Sequence, residues 1–181
     1  MDNFCNLWTI TANFATVRLA FRRVPDTGRP IMRAVIQRVE HAEVRVNDRI
    51  TGAIGPGLLV LLGIAIDDTA EDRDWILKRV LTQRIFDDAG GVMTMDVATA
   101  GASLLVVSQF TLLASTRKGT KPSWHRAAPP DRAREIYDDF VQALRQVATV
   151  PVSTGEFGAL MRIALVNSGP VTLIIDSRSR E

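Results

Sequence analysis

Cysteine is almost missing from this chain of 181 residues: Cys5 is the only one. That excludes an intramolecular disulfide and a cysteine-rich metal site, and it fits a reducing compartment such as the cytoplasm. Histidine is nearly as scarce, with His41 and His125 alone. Two histidines with no clustered carboxylates make no recognisable metal site, and neither forms a Ser-His-Asp triad by spacing, so no metal and no cofactor are expected. Long apolar runs are absent too, since no window approaches the roughly 18 consecutive apolar residues of a membrane span. A soluble protein is expected. Nor does either sign of charge dominate: 22 Lys and Arg stand against 20 Asp and Glu. Residues 1–31 hold Arg18, Arg22, Arg23 and Arg29 against Asp2 and Asp26, which leaves 18 basic and 18 acidic residues for the rest of the chain. With a neutral body, contact with a polyanion would have to come from a local patch rather than a global field.

What is present is enough apolar content, 46%, to fill one sizeable core, so one domain is the default. Residues 1–31 lack the apolar h-region of a secretory signal, and Asp26-Thr27-Gly28-Arg29-Pro30 has the composition of a linker. The domain is expected from Met32 onward, and the segment before it as a poorly ordered, dispensable extension or a misassigned start. Met32 to Glu40 alternates apolar and polar residues, and Glu43 to Asn47 continues that period, which predicts an opening hairpin. After Gly55-Pro56-Gly57 the unbroken apolar run of Leu58 to Ile66 predicts a central strand. Thr69 and Asp72 predict a capping box for a helix that ends near Arg84. A second helix is expected after Pro129-Pro130, with Asp131 as N-cap and Ile136, Phe140, Val141, Leu144 and Val147 as its apolar stripe. Strands over Met161 to Val166 and Val171 to Ile175 complete an α+β fold, a largely antiparallel sheet or barrel with two packed helices.

Two segments carry the chemistry. Ser103 to Thr111 reads as a buried strand that turns polar at its C-terminal end, in Ser108-Gln109-Phe110-Thr111-Leu112. Their bland reading is that the Ser108 and Thr111 hydroxyls satisfy backbone groups at a strand end. Their functional reading is that these hydroxyls and the nearby main-chain N–H groups bind an ester carbonyl and its developing oxyanion. The second segment is Asn167-Ser168-Gly169-Pro170-Val171-Thr172. Proline fixes its own φ and glycine tolerates unusual backbone, so this step could hold main-chain carbonyls toward a ligand, or be a plain turn.

Together with Met32 to Val39, Gly57 to Gly63 and Arg84-Ile85-Phe86, these blocks resemble the D-aminoacyl-tRNA deacylases over nearly the whole chain from Met32. The resemblance implies hydrolysis of the ester of D-aminoacyl-tRNA, and of mischarged glycyl-tRNA, in the cytoplasm. Ser108, Gln109, Phe110 and Thr111 would form the catalytic segment, with the 2′-hydroxyl of the terminal adenosine assisting water, and a covalent Thr111 route as the alternative. It implies a homodimer in which a cis Gly169-Pro170 step of one subunit enters the active site of the other and excludes an L side chain. Arg38 would brace that loop, and Phe157 and Met161 would line the pocket, where the plain alternative for both is ordinary core packing. Arg117, Lys118, Lys121 and Arg126, clustered in one loop, would meet tRNA phosphates, where the plain alternative is a solvated loop. The chain departs from the family's pattern at Ser168, where many members carry Asp, and in Lys121-Pro122-Ser123-Trp124, where Arg-Pro-Ser-Phe is common. An RNA-binding module and a small-molecule esterase are the rival readings.

Overall fold

The computed structural model describes residues 32–117 and 119–178, and ahead of them the backbone of two paired antiparallel strands, β1 (Leu7–Ala12) and β2 (Ala15–Ala20). The reading of residues 1–31 as a dispensable extension otherwise falls outside the described residues.

The alternating segment becomes one long strand, β3 (Arg33–Val46), which turns through Asn47 and Asp48 into β4 (Arg49–Ile54). Both turn residues have positive φ, 47° and 65°, the geometry of a two-residue hairpin whose twist matches its strands. The first half of β3 pairs antiparallel with β5 (Gly57–Gly63), and its outer edge with β10 (Arg162–Asp176). Beyond β5 the pairing changes sense. Strand β8 (Ser103–Ser108) lies parallel to β5, and β9 (Val152–Thr154) parallel to β8, giving the order β10-β3-β5-β8-β9 with β4 on β3. Parallel neighbours require long crossovers. The first holds α1 (Ala70–Thr82) and the short pair β6 (Phe86–Asp87) and β7 (Met93–Met95); the second holds α2 (Pro130–Val147).

The crossovers explain the unbroken apolar runs. Leu58, Val60, Leu62, Leu104 and Val106 belong to the main core with Ile76 and Val80 of α1 and Phe140 and Leu144 of α2. Leu59, Leu105 and Val107, on the opposite face, form a second cluster with Val39, Ala42 and Val44. The sheet curls to cover this side: Ser153 Oγ donates to the Ala53 carbonyl at 3.2 Å, and a Cβ on Gly52 would stand 2.3 Å from the Thr154 carbonyl oxygen. Gly52 is thus where β4 comes close enough to nearly close a barrel.

The helix ends follow their sequence signals with one shift. At α1 the Asp72 N–H donates to Thr69 Oγ1 at 3.4 Å, and the Thr69 N–H donates to Asp72 Oδ2 at 3.0 Å, which completes the expected capping box. At α2 the N-cap is Pro129 rather than Asp131. Pro130, lacking an N–H to leave unsatisfied, occupies the first helical position, so Asp131 falls inside the first turn and acts on the helix dipole instead. Ile136, Phe140, Val141 and Leu144 are buried as expected, whereas Val147 is exposed at the helix's last residue, where the packing face runs out. The two C-terminal strands expected around the Gly-Pro step are one strand, β10. Its register jumps from Asn167↔Val39 to Thr172↔Gln37, so residues 168–171 loop out of the ladder. Among the described residues no helix is long and apolar enough to cross a membrane.

After β5 a charged cluster ties the end of the domain to the start of α1. Arg178 bonds Asp67 Oδ2 at 3.0 Å and Asp72 Oδ2 at 3.1 Å. Asp68, buried beside them, accepts the Ala65 N–H at 2.7 Å through Oδ2, while its Oδ1 has no hydrogen-bond partner. Burial pushes the Asp68 carboxyl up to about 7. Burial also pushes on Asp72, but bonds from Arg178, Ser177 and Thr69 outweigh it and hold that carboxyl down at about 2. An unfolded aspartate ionises near pH ~4, so between about pH 4 and 7 the folded state binds the extra Asp68 proton and loses stability as pH rises. Asp68→Asn removes this slope: its melting temperature relative to the parent protein is expected to climb between about pH 4 and about pH 8, as read by thermal denaturation at both values. Parallel pH profiles would contradict a protonated Asp68.

Candidate active site

The register of the parallel pair determines where β8 ends. Leu62 stands opposite Ser108, and the Gln109 N–H donates to the Leu62 carbonyl at 2.7 Å, one bond beyond the strand. The chain then tightens into a 3₁₀ turn, Phe110–Leu113, which no side chain caps. The leading N–H groups of such a turn have no partner within it. From behind, Arg33 donates to the Leu112 carbonyl at 3.0 Å while its guanidinium grips both carboxylate oxygens of Asp176 at 2.6 and 3.0 Å. The turn is therefore fixed to the first residue of β3 and the last of β10. Gln109 Nε2 donates to Thr111 Oγ1 across the turn.

Ser108, Gln109 and Phe110 form one wall of a cavity of about 440 Å³, with Leu62 and Ile64 at its base and Phe157, Gly158 and Trp124 around it. Among the described residues, none of those lining it is Asp, Glu, His, Lys or Arg. Phe157 is held by Tyr137, whose ring centroid lies 5.6 Å away, and by the Arg134 guanidinium 4.7 Å over its face. Tyr137 is itself fixed, its hydroxyl donating to the Val106 carbonyl at 2.9 Å, and burial pushes its phenol up. Phe110 and Trp124 meet edge to face at 5.4 Å and remain 56% and 40% exposed.

Of the residues expected at the site, Ser108, Gln109, Phe110 and Phe157 come together in this cavity. Thr111 is half-buried and joined to the wall through Gln109 without lining it. Met161 packs in the second core cluster. Arg38 and the Gly169-Pro170 step lie apart from the cavity wall. Neither His41 nor His125 lines it. What sequence reasoning passed over is Trp124, visible only as the aromatic of the Lys-Pro-Ser-Trp segment.

Arg38 touches the Gly-Pro loop instead of the cavity. Its Nε donates to the Ser168 carbonyl at 3.1 Å, and Nη1 donates to the Ile85 carbonyl at 2.8 Å and pairs with Asp87 at 3.2 Å. On the other side the Asn167 carboxamide accepts the Val171 N–H at 2.9 Å and donates to Thr172 Oγ1 at 3.0 Å. Between these clamps Gly169 and Pro170 are exposed and joined by a cis peptide bond.

Below the cavity mouth, Ser115 and Ser123 exchange backbone hydrogen bonds at 2.9 and 3.0 Å and pinch off the basic loop. Arg117, Lys121, Ser123, His125 and Arg126 line a second, open cavity of about 630 Å³. Lys118 lies outside the described residues.

The fold is α+β, and the cavity offers hydroxyl, amide and main-chain groups with no titrating side chain among the described residues that line it. Residues 35–176 match the family described as D-Tyr-tRNA(Tyr) deacylase. A D-aminoacyl-tRNA deacylase of Opitutus terrae is 53% identical over 150 residues, 83% of this chain and 100% of that protein. One from Kosmotoga olearia is 50% identical over 149 residues, 82% and 99% of the two chains. A solved structure titled c-Myc DNA Unwinding Element Binding Protein superposes with a TM-score of 0.76 at 37% identity, covering 79% of this chain and 97% of that one. A probable eukaryotic D-amino acid tRNA deacylase shares the fold, with a TM-score of 0.67 at 20% identity over 81% of this chain and 99% of its own. The chain belongs to the D-aminoacyl-tRNA deacylase family, hydrolases of an ester bond.

Gly169 has φ of 114°, and a Cβ there would stand 2.5 Å from Arg38 Nη2. Gly169→Ala is expected to cost about 1–3 kcal/mol of stability, from left-handed strain and displacement of the arginine. Chemical denaturation checks this, and an unchanged midpoint would mean that the loop is not clamped as described.

Proposed function

We propose that this protein hydrolyses the ester that joins a D-amino acid, or mischarged glycine, to the 3′ end of tRNA, and that it rejects L-aminoacyl-tRNA. The observation that carries the reading is an uncapped backbone turn on the wall of a cavity that none of the described ionisable residues lines. In such a site the N–H groups of Phe110 and Thr111 polarise the ester carbonyl and hold the negative charge that develops on its oxygen. Water adds to the carbonyl carbon, assisted by the substrate's own 2′-hydroxyl. The bond to the 3′-oxygen then breaks and that oxygen takes a proton, leaving free amino acid and intact tRNA. Thr111, held by Gln109, positions the turn.

Chiral selection is assigned to Gly169-Pro170 of a second copy. In one protomer that step is exposed, clamped by Arg38 and Asn167, and apart from the cavity, which suits a rigid backbone wall presented to a partner. A wall of main-chain atoms discriminates by shape at the α-carbon and leaves most D side chains acceptable. Arg117, Lys121 and Arg126 supply local positive charge for the acceptor end despite the neutral body, and the cytoplasm, where charged tRNA is used, is the place of action.

Thr111→Ala is expected to slow turnover of D-tyrosyl-tRNA by about 10- to 100-fold without abolishing it, the loss typical of a slightly misplaced site. Complete loss in a folded variant, with an acyl group trapped on Thr111 of the parent protein, would establish the covalent route instead. Pro170→Ala is expected to reduce the preference for D- over L-ester by about tenfold, or ~1.4 kcal/mol. An unchanged preference would remove the Gly-Pro step from chiral selection.

A further inference from the structure

Trp124 stands between the two cavities. It lines the apolar one, while its neighbours Ser123 and His125 line the basic one. A turn produces this split: the Ser115↔Ser123 bridge fixes the start of the segment, and the Ala127 N–H donates to the Trp124 carbonyl at 2.9 Å, so that Trp124 lines one cavity and His125 and Arg126 the other. Within a single residue of chain the lining passes from the apolar cavity to a pocket that presents Arg117, Lys121 and Arg126, with the Ser123 hydroxyl bonded to His125 Nδ1 at 2.9 Å. Trp124 is also 40% exposed, and it meets Phe110 edge to face. An exposed aromatic beside clustered cations is the combination that binds single-stranded nucleic acid, the base stacking on the ring and the backbone phosphate meeting the charge.

We infer that Trp124 and the pocket behind it form a second nucleotide subsite, in which the penultimate base of the tRNA 3′ end stacks on Trp124 and the phosphodiester joining it to the terminal adenosine lies among Arg117, Lys121, Arg126 and the Ser123–His125 pair. This rests on the reading that the substrate is the 3′ end of a charged tRNA, and it deepens that reading. The terminal nucleoside alone then makes only part of the available contacts. Recognition spans at least two nucleotides and includes one phosphate.

The test is equilibrium binding of unesterified cytidylyl-(3′→5′)-adenosine against adenosine, by calorimetry with the full-length protein, alongside turnover of D-tyrosyl-tRNA. The dinucleotide is expected to bind about tenfold or more tightly than the nucleoside, since one stacked base is worth ~1–3 kcal/mol. Its log affinity should fall against log salt concentration with a slope near ~−0.7 for one neutralised phosphate, while adenosine stays insensitive. Trp124→Ala should erase most of the dinucleotide's advantage, and Lys121→Gln, an exposed substitution, should reduce both the advantage and the salt slope. Equal affinities for the two ligands, or an advantage that survives both substitutions, would overturn the subsite. Dinucleotide binding that follows the expected pattern in a protein with no turnover would keep the subsite and sink the deacylase reading instead.

Discussion

The parallel pairing of Gly57–Gly63 with Ser103–Ser108 is the constraint on which the rest of the molecule depends. It is buried on both faces, between the helices and the curled half of the sheet, so its register cannot slip without moving two clusters of side chains. Because Leu62 faces Ser108, the last bond of the ladder falls on Gln109, and the backbone has to turn there. The second crossover also supplies part of the cavity's lining, Trp124, Pro130 and Ala133, and the segment after β9 adds Phe157 and Gly158. A cavity with no ionisable group among its described lining residues is thereby assembled at the end of a strand buried on both faces.

A second constraint acts at the opposite side of β3. Arg38 is mostly buried, and it joins the looped-out carbonyl of Ser168 to Ile85 and Asp87 in the segment after α1. The exposed Gly-Pro step therefore does not behave as a free loop tip, since it is fastened at both ends to the sheet. Within one chain this rigid element and the apolar cavity do not share lining residues. In the proposed dimer the two would meet as preorganised halves of one recognition surface.

Much of this was legible in the sequence because it is local. Alternation from Met32 marks β3, the apolar run after Gly57 marks a strand covered on both sides, and Thr69 with Asp72 marks the start of α1, each through contacts within a few residues. Asp131 misled because a preference for the N-cap competed with proline's fitness for the first helical position, and two prolines in a row settled that competition one residue earlier. The parallel sense of β8 and β9 was not visible, because it depends on which way each crossover returns. Trp124 was passed over for a related reason: its place between an apolar and a basic cavity is created by the Ser115–Ser123 bridge, a pairing across the loop that neither composition nor period announces. The buried Asp68 was equally silent, since nothing in Asp67-Asp68 tells which carboxylate Arg178 reaches.

The account stands most directly on chirality. Release of labelled amino acid would be followed from D- and L-tyrosyl-tRNA prepared on the same tRNA, with enzyme well below substrate so that only multiple turnover registers. The account predicts that the D-ester is consumed over many turnovers while the L-ester decays at its spontaneous rate. Comparable loss of both esters would indicate an unselective esterase, and loss of neither would leave a protein that binds its ligand without cleaving it; either result contradicts chiral deacylation.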